Sequence, residues 1–277
     1  MTTSQPILVP VDDRVDLRAV DFAIRLAPAI GAGVRVLSVV SDRSRAADRE
    51  SALLAALHDR GDVRPEVQAV AHHDVAAAII EASPAASTVC MTTAATLRPH
   101  EGHFGSIAEA VVRALTRPVI LLGPQARGPF ATVGGRLILP VDGSVAGEYV
   151  VSSAAAFAAA LQVEPWVVTV VNARQERRVA EVAGDEYGAI ESGYVRRVAK
   201  SITDETGVAA QFEVLHGPHA ASAIIDFAHP DGLIAMSTHG RTGLARIFAG
   251  SVTTHVVAGA EQPVMVVRPP GHVLAGK

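Results

Sequence analysis

The chain contains the same pattern twice, and this repeat constrains its fold more than any other feature. The run PILVPVDD at residues 6–13 matches RLILPVDGS at residues 136–144, which places Asp12 and Asp142 130 residues apart. Each aspartate is followed by a helical pattern and then by a valine-rich run, VRVLSVV in the first half and PWVVTVV in the second. The pattern therefore predicts two units of one fold.

The repeat continues through the rest of both halves at a larger offset. STVCMT at 87–92 matches GLIAMS at 232–237, 145 residues later, and RPVILLGP matches QPVMVVRP at the same offset. A charged insertion after the second strand, NARQERRVAEVAGDEYGAIESG, accounts for the difference and is predicted to extend a helix or loop. The segment GPQARGPFATVGG has the composition of a linker. We therefore predict one domain over residues 1–125 and another over 133–277.

Strands alternate with helices in each half, which predicts a parallel sheet formed by right-handed crossovers. Aromatic residues make up only 4% of a chain that is 49% hydrophobic, so Val, Ile, Leu and Ala must form the core. Such a core is typical of α/β proteins with a buried parallel sheet. Ligands of these sheets bind at the carboxyl ends of the strands, which is where Asp12 and Asp142 are predicted to lie.

Charge and composition argue against several partners and locations. The net charge of −4 argues against nucleic acid or an anionic membrane as the main partner. No apolar run reaches the ~18 residues of a membrane span, and no signal peptide is visible, so we expect a cytoplasmic protein. The single cysteine, Cys90, excludes an internal disulfide and is predicted to be a buried core residue.

The loop STHGRTGLARIFAGS, residues 237–251, has the features of an anion site. It follows an apolar strand and precedes the helical run VTTHVVAGA, for which Ser251 is the predicted N-cap. A helix N-terminus preceded by Gly250 presents backbone N–H groups to an anion, of which phosphate is the usual one. Gly240 permits close backbone approach, and Arg241 adds positive charge. The alternative is an ordinary connection whose arginines are solvated.

Two common phosphate-binding motifs are absent. The chain has only two lysines, Lys200 and Lys277, and neither completes a G-x-x-x-x-G-K-[ST] motif. No G-x-G-x-x-G motif lies between a strand and a helix, which argues against a dinucleotide fold.

The order of PVDGS, a valine-rich strand, STHGRTGLARIFAGSV and QPVMVVR resembles the universal stress protein family, and two copies resemble its tandem form. The resemblance implies two flavodoxin-like α/β domains, each a five-stranded parallel sheet of order 3-2-1-4-5 with helices on both faces, paired as an internal pseudo-dimer. Members that bind ATP carry G-x2-G-x9-G-[ST]. Here the second half reads Ser237-x2-Gly240-x9-Gly250-Ser251, so Ser237 replaces the first glycine.

The resemblance also implies roles for the matching residues of the second half. The adenosine part of the site would be lined by Pro140, Asp142 and Val170, with Asp142 near the ribose. The remaining implied nucleotide contacts are Ser237, Gly240, Arg241, Gly250, Ser251 and Val252. The alternative role of Asp142 is that of a turn or helix-cap residue. Serine at 237 costs roughly 1 kcal/mol or more if the backbone there needs a positive φ, and little if only a small side chain is needed.

The first half departs further from the motif. It reads Thr92-x2-Ala95-x9-Gly105-Ser106, and its loop contains Pro99, which removes a backbone donor. Ser106 and Glu109 have capping-box spacing. We therefore predict one competent site, in the second half. A weaker adenosine-type site remains open in the first half, formed by Pro10, Asp12, Val39, Gly105 and Ser106.

Histidines 72, 73, 100 and 103 cluster in the first half, but they lack the i, i+4 spacing of a zinc-binding helix. We predict surface histidines and no metal site. No catalytic nucleophile and base are evident, because Ser106 and Ser251 fit helix caps better.

We therefore predict an ATP-binding stress-response sensor or regulator, with Mg²⁺ as an optional companion of the nucleotide, rather than an efficient enzyme. In this hypothesis ATP orders the Arg241–Arg246 segment and so changes the surface shown to an unidentified protein partner. A slow nucleotide hydrolase or phosphotransferase and an interaction scaffold without nucleotide remain alternatives. The sequence leaves open which adenine nucleotide binds and whether the chain forms a homodimer.

Overall fold

The apolar runs of the repeat form ten strands of one sheet in a computed structural model of the chain. The structure describes residues 4–13, 16–94, 105–127, 135–172, 186–228, 232–238 and 250–270, without the side chains of Ser4 and of residues 186–191. In the first half the strands are β1 (Ser4–Val11), β2 (Ala32–Val40), β3 (Glu66–Ala71), β4 (Thr88–Thr92) and β5 (Val119–Leu122). In the second half they are β6 (Arg136–Pro140), β7 (Glu164–Val171), β8 (Gln211–His216), β9 (Leu233–Ser237) and β10 (Val264–Val267).

Helices cover both faces of the sheet, as crossovers between parallel strands require. The described helices of the first half are α1 (Arg18–Ala29), α2 (Ala46–Leu57), α3 (Val75–Ala82) and α4 (Ser106–Ala114). Those of the second half are α5 (Val145–Glu148), α6 (Val151–Leu161), α7 (Glu186–Thr206), α8 (Ala220–Phe227) and α9 (Ser251–Gly259). The charged insertion thus leads into α7, which runs for 21 residues.

The strand order is β3-β2-β1-β4-β5-β10-β9-β6-β7-β8. Each half therefore has the predicted order 3-2-1-4-5, and all neighbours within a half are parallel. The two halves meet where β5 pairs antiparallel with β10, with Ile120 opposite Met265. The predicted α/β fold and the predicted pairing of the last strands of the two halves are confirmed.

Each face of the sheet buries one apolar cluster that extends through both halves. One cluster packs under α1, α2, α6 and α7, and the other packs under α3, α4, α8 and α9. The four residues of β5 and the four of β10 are all buried, as expected of strands in the middle of a sheet covered on both sides. Cys90 is fully buried in the first cluster, and burial raises the pKa of its thiol.

Candidate functional site

The strand order places a topological switch point between β6 and β9 in the second half. From β6 the chain passes outward to β7, whereas β9 pairs with the other side of β6. Ligands of open α/β sheets bind beside the carboxyl ends of such a pair of strands. Asp142 follows the end of β6, and Ser237 ends β9, so both predicted residues lie at this position.

The loop after β6 is held in a tight turn around the carboxylate of Asp142. Oδ1 of Asp142 accepts hydrogen bonds from the Ser144 backbone N–H at 3.1 Å and from the Ser144 hydroxyl at 2.6 Å. The Ser144 Oγ in turn accepts from the Gly147 N–H at 2.9 Å and caps α5. Asp142 is therefore a turn aspartate in this structure, and its carboxylate is oriented at the switch point by Ser144.

Two glycines make this turn possible. Gly143 has a φ of +78°, a conformation that a residue with a Cβ adopts only with strain. A Cβ at Gly147 would overlap both Oδ1 of Asp142 and Oγ of Ser144. The absence of a side chain at 147 therefore leaves the space that the Asp142 carboxylate occupies.

The ends of the predicted phosphate loop are joined by short hydrogen bonds. The Gly250 N–H donates to the Thr238 carbonyl at 2.7 Å, and Oγ1 of Thr253 donates to the Ser237 carbonyl at 2.9 Å. The Thr238 N–H donates to Val267 of the neighbouring strand at 3.0 Å. These bonds fix the start of α9 against the end of β9. Gly240 and Arg241, which we predicted to contact phosphate, lie outside the described residues.

The predicted N-cap of α9 is wrong by one residue. Gly250 occupies the cap position, with φ −57° and ψ 144°, and Ser251 is the first residue of the helix. The backbone of Ser251 is already helical, so its hydroxyl belongs to the first turn rather than to the cap. Gly250 provides no side-chain hydrogen bond to the helix, which leaves this N-terminus without a side-chain cap.

Ser237 does not need the strained backbone that the sequence raised as a concern. It lies within β9, paired with Val267, and is 6% exposed. Among the described residues, Gln162 is the only non-glycine residue with a positive φ. The cost of serine at this position is therefore that of a small buried side chain.

Two apolar residues, Pro140 and Val170, were predicted for the adenosine side, and a third, Val252, was predicted for the phosphate side. Val170 and Val252 are partly buried and pack against the same apolar cluster, which also contains Met236 at the end of β9. Pro140 is partly buried and lies opposite Val168 of β7 in the strand pairing. These side chains and the start of α9 therefore line one side of the switch point.

Tyr194 of α7 also reaches the site, and the sequence analysis did not identify it. Its hydroxyl accepts a hydrogen bond from the Gly143 N–H at 3.1 Å and donates to Oε1 of Glu148 at 2.9 Å. Burial, reinforced by the bond to Glu148, raises the pKa of this hydroxyl, so Tyr194 is neutral at physiological pH. A signal was present in the sequence, because Tyr194 lies 145 residues after Arg49, at the offset of the repeat.

The first half has a different arrangement at its own switch point, between β1 and β4. Arg49 of α2 donates from Nη2 to the carbonyl oxygen of Asp12 at 2.5 Å and from Nε to Oγ of Ser38 at 2.9 Å. Pro10 and Val39, the other residues predicted for this side, are both partly buried. The guanidinium group therefore holds the loop after β1 from the side of α2.

The start of α4 also differs from the prediction. Gly105 is the N-cap, with φ +93°, and Ser106 is the first helical residue, so Ser106 and Glu109 do not form a capping box. The Glu109 N–H instead makes the ordinary helical bond to the Gly105 carbonyl at 3.0 Å. Oγ1 of Thr93 is buried without a hydrogen-bond partner in the described part of the chain, 3.8 Å from where a Cβ of Gly105 would lie. The motif residue Ala95 lies outside the described residues.

Two of the four clustered histidines are described. The rings of His72 and His73 stack with their centroids 4.6 Å apart, and Nδ1 of His72 accepts from the Asp74 N–H at 2.9 Å. Across the described ranges, no group of three or more His, Cys, Asp or Glu side chains is arranged to hold a metal ion. His100 and His103 fall outside those ranges. None of the described helices combines the length and the apolar character needed to cross a bilayer.

Comparison with known proteins gives two kinds of match. The sequence model of the universal stress protein family matches residues 135–268. Universal stress protein MJ0531 of Methanocaldococcus jannaschii is 42% identical over 73 residues, which cover 26% of this chain and 42% of that protein. The alignment with this curated relative therefore spans less than half of its length.

Solved structures show how widely the fold of the whole chain is shared. A universal stress protein from Archaeoglobus fulgidus superimposes with a TM-score of 0.60 at 16% identity, covering 94% of this chain and 98% of that one. The cytoplasmic domain of a prokaryotic cation chloride cotransporter superimposes with a TM-score of 0.54 at 14% identity, covering 98% and 99%. At these identities the likeness shows the fold alone.

Proposed function

Since residues 135–268 match the model of the universal stress protein family, we propose that the second half of this chain binds an adenine nucleotide, with ATP as the leading candidate. The observation that carries the proposal is the placement of two complementary features at one switch point. The oriented carboxylate of Asp142 follows β6, and the start of α9, which has no side-chain cap, is fixed against the adjacent β9. A carboxylate suits ribose hydroxyls, and a helix N-terminus suits phosphate.

The contacts of the proposed complex divide between the two sides of the site. Asp142 accepts hydrogen bonds from the ribose hydroxyls, and Pro140 and Val170 flank the adenosine. Gly250, Ser251 and Val252 lie at the helix N-terminus and contact the phosphates. Gly240, Arg241 and Ser237 complete the phosphate side, and any Mg²⁺ would arrive with the nucleotide.

We propose that the two halves are unequal and that the first binds ATP weakly or not at all. Its loop after β1 is held by Arg49, whereas the loop after β6 is held by Tyr194. Its motif also lacks both leading glycines. In the proposed biological role, this one site senses nucleotide, and the protein acts as a regulator rather than as an efficient enzyme.

A calorimetric titration of the intact chain with ATP tests the proposal. We expect one site per chain, and we expect Asp142→Asn to weaken it by about tenfold or more because the charged acceptor for the ribose is lost. Asp12→Asn is the matched control, because it makes the same change at the equivalent position of the first half. Two equivalent sites, or equal sensitivity to both substitutions, would contradict the proposal. No binding anywhere would favour an interaction module that uses the same fold.

A further inference from the structure

Tyr194 and Arg49 occupy equivalent positions in the repeat but bind opposite ends of the same peptide group. In the first half, the guanidinium of Arg49 donates to the carbonyl oxygen of Asp12. In the second half, the hydroxyl of Tyr194 accepts from the N–H of Gly143. The Asp12 carbonyl and the Gly143 N–H belong to equivalent peptide groups, each directly following the aspartate of its half.

The N–H bond and the C=O bond of a planar trans peptide point in opposite directions. The helix after the second strand bonds to the carbonyl in one half and to the N–H in the other, as opposite orientations of this peptide in the two halves require. The positive φ of Gly143 is consistent with this difference in orientation, and the first half has Asp13 at the equivalent position, without a positive φ. Gly143 and Tyr194 thus occur together in the second half, and Asp13 and Arg49 occur together in the first.

The orientation of this peptide determines where the donors that hold the carboxylate lie. Ser144 follows Gly143 directly, and its N–H and hydroxyl both donate to Oδ1 of Asp142. A rotation of the Asp142–Gly143 peptide would displace both donors together. The bond from Gly143 to Tyr194 is the described contact of this peptide with α7, and Glu148 fixes the rotation of the tyrosine hydroxyl by accepting a hydrogen bond from it.

We propose that Tyr194 is a positioning residue of the nucleotide site, which holds the loop after β6 so that the Asp142 carboxylate meets the ribose hydroxyls. This inference rests on the proposed function. Tyr194 acts through Gly143 and Ser144 and does not contact the nucleotide. The role is specific to the second half, since Arg49 holds the corresponding peptide in the other orientation.

Tyr194→Phe removes only the hydroxyl and is the variant to test. The variant loses the bond from the Gly143 N–H and the bond to Glu148. We expect its ATP affinity to fall about three- to tenfold, because the loop is no longer held through Gly143. We expect no comparable loss of affinity for 2′,3′-dideoxy-ATP, because that nucleotide lacks the hydroxyls that would donate hydrogen bonds to Asp142. Exchange of the Gly143 amide hydrogen, followed by NMR, should be faster in the variant.

Two further variants separate positioning from general stability. Tyr149→Phe removes the hydroxyl of a neighbouring, 36% exposed tyrosine and should leave both affinities unchanged. Glu148→Gln keeps an acceptor for the Tyr194 hydroxyl and should retain ATP affinity, whereas Glu148→Ala should lower it. If the role of Tyr194 is purely structural, Tyr194→Phe weakens the binding of ATP and of 2′,3′-dideoxy-ATP equally, and this result would overturn the inference.

The outcomes distinguish this inference from the function on which it rests. If the unaltered chain binds ATP and Tyr194→Phe binds it equally well, the inference alone is overturned. If the unaltered chain binds no ATP, the proposed function fails and the inference fails with it. In that case the exchange rate of the Gly143 amide still reports whether Tyr194 holds the loop.

Discussion

Gly123, just after β5, lies directly against the backbone carbonyl of Val257 in α9. A Cβ built on Gly123 would overlap the Val257 oxygen, so no other residue fits without a backbone shift. The carbonyl oxygen of Gly123 also accepts a hydrogen bond from Arg18 of α1 at 3.1 Å. The contact joins the first half of the chain to the second, directly beside the antiparallel pair of β5 and β10.

We predict that Gly123→Ala destabilises the whole chain by about 1–3 kcal/mol, the usual cost of forcing extra volume into a packed region. Chemical denaturation measures this cost as a lower midpoint at unchanged slope. Gly33→Ala is the matched control, because a Cβ on this strand glycine has one neighbour, at 3.9 Å. Equal stability of the two variants would show that the backbone at the contact between the halves can shift at little cost in free energy.

Gly147→Ala should damage the site more than the fold. The added methyl must displace either the Asp142 carboxylate or the Ser144 hydroxyl, since it overlaps both. If Asp142 binds the ribose as proposed, its charge-assisted hydrogen bonds depend on the position of that carboxylate, and we expect at least about a tenfold loss of ATP affinity in calorimetry.

Gly193→Ala provides the control for this loss. Gly193 is a helical glycine of α7 whose added Cβ would lie 3.8 Å from the Arg197 side chain, which is ordinary contact. We expect unchanged ATP affinity and a small gain in stability, since alanine favours a helix over glycine by about 1 kcal/mol. A loss of ATP affinity in both variants would indicate a general disturbance of the second half.

The two glycines that precede α4 and α9 should respond differently to alanine. Gly105 has a φ of +93°, whereas Gly250 has a φ of −57°, which alanine adopts freely. We predict that Gly105→Ala costs about 1–2 kcal/mol of stability and that Gly250→Ala costs much less. Thermal unfolding of the two variants side by side checks the difference, and a larger cost at Gly250 would contradict it.

The buried thiol of Cys90 should make the chain less stable at alkaline pH. Burial raises the pKa of Cys90 in the folded protein, so the thiol ionises more readily when the chain unfolds. Its contribution to stability is complete below the ordinary thiol pKa and is lost as the pH rises above it. Between about pH 9 and 11 we expect stability to fall more steeply in the unaltered chain than in Cys90→Ala, by up to about 1.4 kcal/mol per pH unit.

The comparison with Cys90→Ala uses slopes rather than absolute values, because the smaller side chain also leaves a cavity. Urea denaturation at several pH values gives the free energy of unfolding at each. Parallel curves for the two proteins would mean that the Cys90 thiol ionises as easily in the folded chain as in the unfolded one.

The repeat of alternating apolar strands and helices was enough to predict two units with parallel crossovers. The strand order 3-2-1-4-5 and the pairing of the last strands came from the family resemblance, because alternation alone does not say which strands are neighbours. The helix starts were less predictable. Ser251 has good cap chemistry, but the preceding Gly250 takes the cap position, and only backbone angles distinguish the two.

The bond from Gly143 to Tyr194 was beyond the sequence analysis for a physical reason. It joins residues 51 positions apart, and it requires a peptide orientation that no side-chain pattern reports. The nearest signal was the change from PVDD to PVDG between the halves, together with the change from Arg49 to Tyr194 at the offset of the repeat. Each change alone looks like ordinary variation, and the hydrogen bond between Gly143 and Tyr194 is visible only in three dimensions.

The antiparallel joint between β5 and β10 has a geometric consequence for how the two halves evolve. The strands of the first half are parallel to β5, and those of the second half are parallel to β10. Because β5 and β10 are antiparallel, the carboxyl ends of the strands in the two halves point in opposite directions. The two switch points therefore lie at opposite ends of the strands, and each is formed by strands of its own half. A duplicated gene of this design can thus keep one ancestral ligand site while the other half specialises.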